Sequence, residues 1–171
     1  MEPKTLLIIR HGDAAPDAEG DMFRRLTEKG VFEAKSLGER LRVKQTVPDL
    51  IICSPATRTQ LTALLVAKTV GYSPMAVKEV AALYGAAPRT YLEILNGVDD
   101  GVKTLAVVGH NPVSSAMSAY LTQKPVGSLP TAGCVAIEIK TERWAFVSMG
   151  TGVLKWQFQP PPFILADPGK T

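Results

Sequence analysis

Short apolar runs, each stopped by turn-forming residues, punctuate this chain. Leu6-Leu7-Ile8-Ile9, Leu50-Ile51-Ile52-Cys53 and Leu105-Ala106-Val107-Val108 are too short for helices and do not alternate with polar residues. Runs of this kind read as strands buried on both faces of a sheet. They place strands over residues 5–10, 50–53 and 103–108, and residues 76–80 read as a further short one. Between them the apolar spacing changes to that of a helix face. Most of the spacing of Val31, Ala34, Leu37, Leu41 and Val43 fits one face of a helix that Thr27 is suited to cap. Ser54-Pro55 reads as a second helix start, Ser as N-cap and Pro at the first helical position, with Gly71 as its stop. Helices are also predicted over 88–95, closed by Asn96-Gly97, and over 113–122 after Asn111-Pro112, where Asn111 reads as a cap. After Gly133 the helical period disappears, and residues 134–139, 144–148 and 153–158 read as strands separated by turns.

Strands alternating with helices over the first two-thirds of the chain predict a mostly parallel sheet in a three-layer α/β/α sandwich. The late strands extend it, at least one of them antiparallel. Residues 1–158 are expected to form one domain, and residues 159–171, with Pro160-Pro161-Pro162, an extended tail.

The candidate chemistry lies where two of the apolar runs end. The chain has only two histidines, His11 in Arg10-His11-Gly12 and His110 in Gly109-His110-Asn111-Pro112, each directly after a predicted buried strand. Open α/β sheets bind ligands outside the carboxyl ends of their strands. If the two strands are parallel neighbours, both imidazoles and the Arg10 guanidinium meet there. A third strand end contributes Arg58, in the first turn of the helix after Ser54-Pro55. An arginine fork fits phosphate oxygens bidentately, and a helix start offers N–H groups and partial positive charge. Gly12 lets the backbone approach the His11 ring. Such a pocket suits a phosphoryl group, whose transfer depends on positioning and charge stabilisation. Tyr84 and Trp144 read as packing residues.

Composition adds mainly exclusions. The chain is 46% apolar and 20% charged with a formal charge of +3, ordinary for a globular protein. Its basic residues are scattered, so no nucleic-acid surface is expected. The N-terminal apolar run is too short for a signal peptide or a membrane span, so the expectation is a cytoplasmic protein with no membrane contact. Cys53 and Cys134 read as buried core thiols, and no ligand cluster predicts a metal or other cofactor.

Together Arg10-His11-Gly12, Ser54-Pro55-x-x-Arg58-x-x-x-Thr62-Ala63 and Gly109-His110-Asn111-Pro112 resemble the motifs of the histidine phosphatase (phosphoglycerate-mutase-like) superfamily, in the same order. Arg24-x-Leu26-Thr27-x-x-Gly30 and Leu83-Tyr84-Gly85-Ala86 are most similar to its small SixA-type branch, the phosphohistidine phosphatases. The resemblance spans about residues 5–150. It implies a phosphoglycerate-mutase-like fold and metal-independent hydrolysis through a phosphohistidine on His11. Arg10, Arg58 and His110 would hold the phosphoryl oxygens, so a phosphate or sulfate anion is expected in the pocket.

The chain departs from the family pattern at two places. Leu61 replaces a frequent Gln. Larger relatives carry a Glu general acid just after the third strand, where Glu79-Val80-Ala81-Ala82 has alanine at the expected place. Glu79 and Asp13 are the candidate substitutes. Without a committed acid, expulsion of an alkoxide is hard, whereas the imidazole of a phosphohistidine leaves readily. General acids are worth roughly 10²–10⁴-fold. The expected substrate is therefore phosphohistidine on a partner protein. The alternatives are a sugar-phosphate-type esterase and a phosphate-binding module with weak turnover.

Overall fold

The structure, a computed structural model, describes residues 2–16 and 19–165. Six strands form one sheet in the order β3-β2-β4-β1-β5-β6. They are β1 (Lys4–Arg10), β2 (Leu50–Cys53), β3 (Lys78–Glu79), β4 (Thr104–Gly109), β5 (Cys134–Ile139) and β6 (Gly152–Phe158). The four helices are α1 (Glu28–Val43), α2 (Thr57–Val70), α3 (Pro88–Asn96) and α4 (Val113–Thr122). β1 pairs parallel with β4, β4 with β2 and β2 with β3, while β5 runs antiparallel to β1 and pairs with β6.

Alternation along each strand divides the core in two. Leu6, Ile8, Leu105, Val107, Val135 and Ile137 face α3 and α4, where they pack on Tyr91, Leu95, Met117 and Leu121. Leu7, Ile9, Ala106 and Val108 face α1 and α2, against Leu37, Leu41, Val66 and Ala67. Both faces of the central strands are covered, which is why their sequences are continuously apolar. α1 and α2 pack closely, because at Gly38 a Cβ would lie 2.5 Å from the Cβ of Thr69.

Three expectations are corrected. Residues 144–148 form a 3-10 turn over Trp144–Phe146 instead of a strand. Trp144 and Val147 are both buried three residues apart, the spacing of a 3-10 turn rather than of a strand. Asp100 accepts from the Trp144 N–H, and Asn96 donates to the carbonyls of Trp144 and Val147. The strand expected at 76–80 shrinks to Lys78–Glu79. The second helix begins at Thr57, with Ala56 as N-cap, because the Thr59 hydroxyl bonds the carbonyls of Ser54 and Ala56 and folds the preceding turn inward.

Cys53 and Cys134 are buried free thiols. Residues 159–165 carry no helix or strand, and Phe163 stacks on Phe32 of α1 with ring centroids 5.3 Å apart. The rest of the expected tail, 166–171, lies outside the described residues. Among the described residues no helix is long and apolar enough to cross a membrane.

Candidate active site

β1 and β4 are parallel neighbours, with Arg10 in register with Gly109. The helices that follow them leave on opposite sides, α1 over the Leu7–Ile9 face and α4 over the Leu6–Ile8 face. That divergence opens a crevice at the carboxyl ends of the strands. His11 and His110 stand in it with ring centroids 5.5 Å apart. β2 ends beside β4, bringing Ser54 and the first turn of α2 to the same edge. The structure therefore brings Arg10, His11, Arg58 and His110 together.

His11 is held in one tautomer. Its Nδ1 lies 2.7 Å from the Gly12 carbonyl. A carbonyl only accepts, so Nδ1 carries the proton and Nε2 keeps its lone pair. Burial, reinforced by the nearby arginines, lowers the His11 pKa to about 4, so the ring is neutral at pH 7. The peptide that orients it is itself gripped. Glu33, a buried residue of α1, accepts from the Asp13 N–H at 2.9 Å. That N–H belongs to the same peptide unit as the Gly12 carbonyl. Glu33 also accepts from the Thr131 hydroxyl at 2.7 Å, fixing the loop whose Leu129 carbonyl receives Arg10 Nη1 and whose Ala132 N–H bonds the His11 carbonyl. On the other side, the Gly12 N–H donates to buried Thr62 Oγ1 at 2.9 Å. Gly12 is required for the contact with α1 rather than for access to the ring. A Cβ there would lie 2.7 Å from the Gly30 carbonyl oxygen.

His110 is set the opposite way. Arg58 Nη2 lies 3.4 Å from its Nδ1, and a guanidinium only donates, so Nδ1 accepts and Nε2 holds the proton. Nε2 then donates to Ser54 Oγ at 2.8 Å, so Ser54 anchors the imidazole and is not the helix cap expected of it. Burial and Arg58 lower the His110 pKa to about 4. Arg58 is buried, and its Nη1 and Nη2 donate to the carbonyl and carboxylate of Asp21 at 2.8 and 3.0 Å. Tyr84 donates its O–H to the same Asp21 oxygen at 2.7 Å, and its ring stands edge-on to His110. The Tyr84 hydroxyl and Arg58 pull the Asp21 pKa down to about 2. Arg10 and Arg58 each keep a buried Nε–H with no acceptor among the described residues.

Neither candidate acid joins this group. Asp13 Oδ2 accepts from the Thr27 hydroxyl at 2.7 Å and anchors the start of α1. Glu79 is bonded to Gln60 on the outer side of α2. Asn111 is not the cap expected of it, since Pro112 is the N-cap of α4; it precedes the cap, its amide donating to Leu129 and its Oδ1 accepting from the Ser115 N–H and hydroxyl. Asp21 and Glu33 are additions to the sequence reading, and Tyr84, expected there to be a packing residue, instead bonds Asp21 beside His110. Asp21 sits in a 3-10 turn within a segment that carries no apolar period, and Tyr84 follows another. Among the described residues no three of His, Cys, Asp and Glu cluster as metal ligands.

The carboxyl ends of β1, β2 and β4 thus bring together two neutral imidazoles of opposite tautomer and two guanidiniums. Residues 6–83 match the family model of the histidine phosphatase superfamily (branch 1). An uncharacterised protein of Mycobacterium tuberculosis is 35% identical over 157 residues, covering 85% of this chain and 96% of its own. The phosphohistidine phosphatase SixA of Escherichia coli is 26% identical over 159 residues, covering 91% of this chain and 93% of its own. A solved structure of the protein histidine phosphatase SixA complexed with tungstate matches with a TM-score of 0.79 at 23% identity, over 91% of this chain and 97% of that one. It shares the phosphoglycerate-mutase-like fold. The chain belongs to the histidine phosphatase superfamily, and it is a phosphatase.

Proposed function

We propose that this phosphatase hydrolyses phosphohistidine on a partner protein through a phosphoenzyme on His11, without a metal. The observation that carries the reading is the Nδ1–H bond of His11 to the Gly12 carbonyl, which leaves Nε2 as a neutral, oriented nucleophile. The Nε2 lone pair forms the new bond to phosphorus as the bond from phosphorus to the substrate imidazole breaks. Solvent protonates the other nitrogen of the phosphorylated ring, so the ring departs as a neutral imidazole. Arg10 and Arg58 hold the phosphoryl oxygens, their unclaimed Nε–H groups suiting an anion, and His110 joins them by turning its Nε2–H from Ser54 to a phosphoryl oxygen. Water then attacks phosphorus, His11 Nε2 leaves, and the water proton passes to the phosphate or to solvent.

The carboxylates near the pocket support a leaving group that needs no acid. Asp21 is ionised between Arg58 and Tyr84, and Asp13 is occupied by Thr27. The test is phosphate release from a phosphohistidine-bearing protein in chelator, by wild type and His11→Asn, with acid-quench trapping of labelled enzyme. Turnover and label confined to wild type support the proposal. Equal rates reject His11 as nucleophile. Turnover of alkyl phosphates at rates matching phosphohistidine selects an esterase.

A further inference from the structure

Asp21 brings a carboxylate to a site otherwise built from cationic and neutral groups. It stands on the outer side of Arg58, whose side chain is 7% exposed against 51% for Asp21. Arg58 Nη2 reaches both Asp21 Oδ2, at 3.0 Å, and His110 Nδ1, at 3.4 Å, so a single nitrogen separates the carboxylate from the imidazole. The Tyr84 hydroxyl donates to the same Asp21 oxygen while its ring stands edge-on to His110, which holds the carboxylate at the mouth. Asp21 Oδ1 accepts from Arg24 at 3.3 Å. Two other carboxylates near the arginines are turned away from the mouth. Glu33 is buried behind the Gly12–Asp13 peptide, and Asp13 is taken up by Thr27. Arg10, Arg24 and Arg58 thus face these three carboxylates, and the most exposed of them is Asp21.

We infer that Asp21 sets which phosphoryl donors the site accepts, favouring a phosphoryl group borne on a cationic nitrogen base and opposing one borne beside a second anion. The inference rests on the proposed reading that the phosphoryl group sits among Arg10, His11, Arg58 and His110. The arginines, taken alone, would attract the most highly charged anions. A carboxylate bonded to one of them reverses that preference for whatever lies next to phosphorus on the solvent side. Like charges repel and unlike charges attract over the same few ångströms. A phosphorylated imidazole that has taken a proton on its other nitrogen is such a cation, and a nearby carboxylate favours that protonated form. An ester with a carboxylate or a second phosphate close to the first is the disfavoured class. The effect acts through space and needs no contact with the leaving group.

Three non-hydrolysable phosphonates of similar size test the charge apart from turnover. Aminomethylphosphonate carries an ammonium group one carbon from phosphorus, ethylphosphonate a neutral methyl and phosphonoacetate a carboxylate. Dissociation constants are measured by calorimetry for wild type and Asp21→Asn, and the ratio of the two for each ligand cancels differences in ionisation among the ligands. The substituted amide keeps an oxygen for Arg58 Nη2, and the backbone carbonyl at this position still receives Nη1. The substitution is expected to tighten ethylphosphonate about fivefold, to tighten phosphonoacetate about twentyfold and to leave aminomethylphosphonate within about twofold, each unit of charge beside phosphorus being worth about fourfold. A ratio that is the same for all three ligands overturns the inference, because Asp21 then acts on the phosphoryl group alone. Weaker binding of all three overturns it too, since Asp21 then serves to orient Arg58. Absence of binding by any ligand to either protein overturns the phosphoryl site and the inference with it. Graded ratios without turnover of phosphohistidine support the inference and overturn only the proposed substrate.

Discussion

Removing the Glu33 carboxylate should damage catalysis by more than its effect on stability explains. Glu33 touches neither imidazole in the structure. It grips the Gly12–Asp13 peptide from behind, through the Asp13 N–H at 2.9 Å, and the carbonyl of that peptide fixes His11 Nδ1 at 2.7 Å. Hydrogen bonds in series through one peptide polarise one another. In Glu33→Ala the Asp13 N–H and the Thr131 hydroxyl both lose their acceptor in a buried setting. At about 1–3 kcal/mol for each donor left unpaired, and with the Thr131 hydroxyl free to rotate, the loss of stability is about 2–4 kcal/mol. The catalytic loss has a different origin. Once the peptide is free to turn, His11 samples the other tautomer, and misplacement of a reacting group by about 1 Å costs ~10²-fold in rate. Glu33→Gln keeps one oxygen for the Asp13 N–H and should recover most of the activity. Stability is read by urea denaturation, and kcat is expressed per folded molecule. The His11 tautomer is read by ¹⁵N NMR, where the chain's two histidines give a spectrum with two rings to assign. The wild type should show His11 protonated on Nδ1 and His110 on Nε2. If Glu33→Ala unfolds more easily yet keeps kcat and the Nδ1–H tautomer, Glu33 serves only the fold and the relay is wrong.

Three further outcomes follow from other features of the structure. Tyr91 is fully buried and its hydroxyl has no hydrogen-bond partner among the described residues, so Tyr91→Phe should raise stability by about 1 kcal/mol; a lower melting temperature would contradict this. Both histidines have pKa values lowered to about 4 by burial, against 6.5 when unfolded. The unfolded chain therefore binds more protons between these values, so stability is full above pH 6.5 and falls as pH drops toward 4. Denaturation at pH 7 and pH 5 in phosphate-free buffer checks this, and pH-independent stability over that range would refute it. Asp21 competes with an incoming anion for Arg58 from a half-exposed position, so Asp21→Asn should tighten inorganic phosphate binding by about fivefold, about 1 kcal/mol for a charge a few ångströms away in a wet site. Weaker binding in calorimetry would mean that Asp21 mainly orients Arg58.

What could be read in the sequence is what regular elements deliver. The unbroken apolar runs before His11 and His110 announce strands covered on both faces, and such strands end at ligand sites. Arg58 was legible because it falls one residue into a helix that starts at a strand end. The same logic misread Trp144–Val147. The residues are apolar enough for a strand, but only their burial three residues apart separates a 3-10 turn from a pleat. The boundary at Ser54 failed for another reason. Its hydroxyl was expected to cap a helix and instead bonds His110, a contact 56 positions away that no local propensity can express.

The unread part of the site shares one physical character. Asp21, Tyr84 and Glu33 act through polar bonds to residues distant in sequence, and such bonds leave no period. Asp21 reaches Arg58 across 37 positions, Tyr84 reaches Asp21 across 63, and Glu33 reaches Thr131 across 98. Apolar patterning encodes which face of an element is covered, because burial repeats with the geometry of that element. A hydrogen-bonded anchor is needed once, at one angle, and its residue type is common on any surface. Glu33 does show how such a residue is recovered from structure. It lies on the covered side of α1 beside Ala34 and Leu37, where a carboxylate is costly unless donors meet it. The Asp13 N–H and the Thr131 hydroxyl meet it, and one of them belongs to the peptide that sets His11.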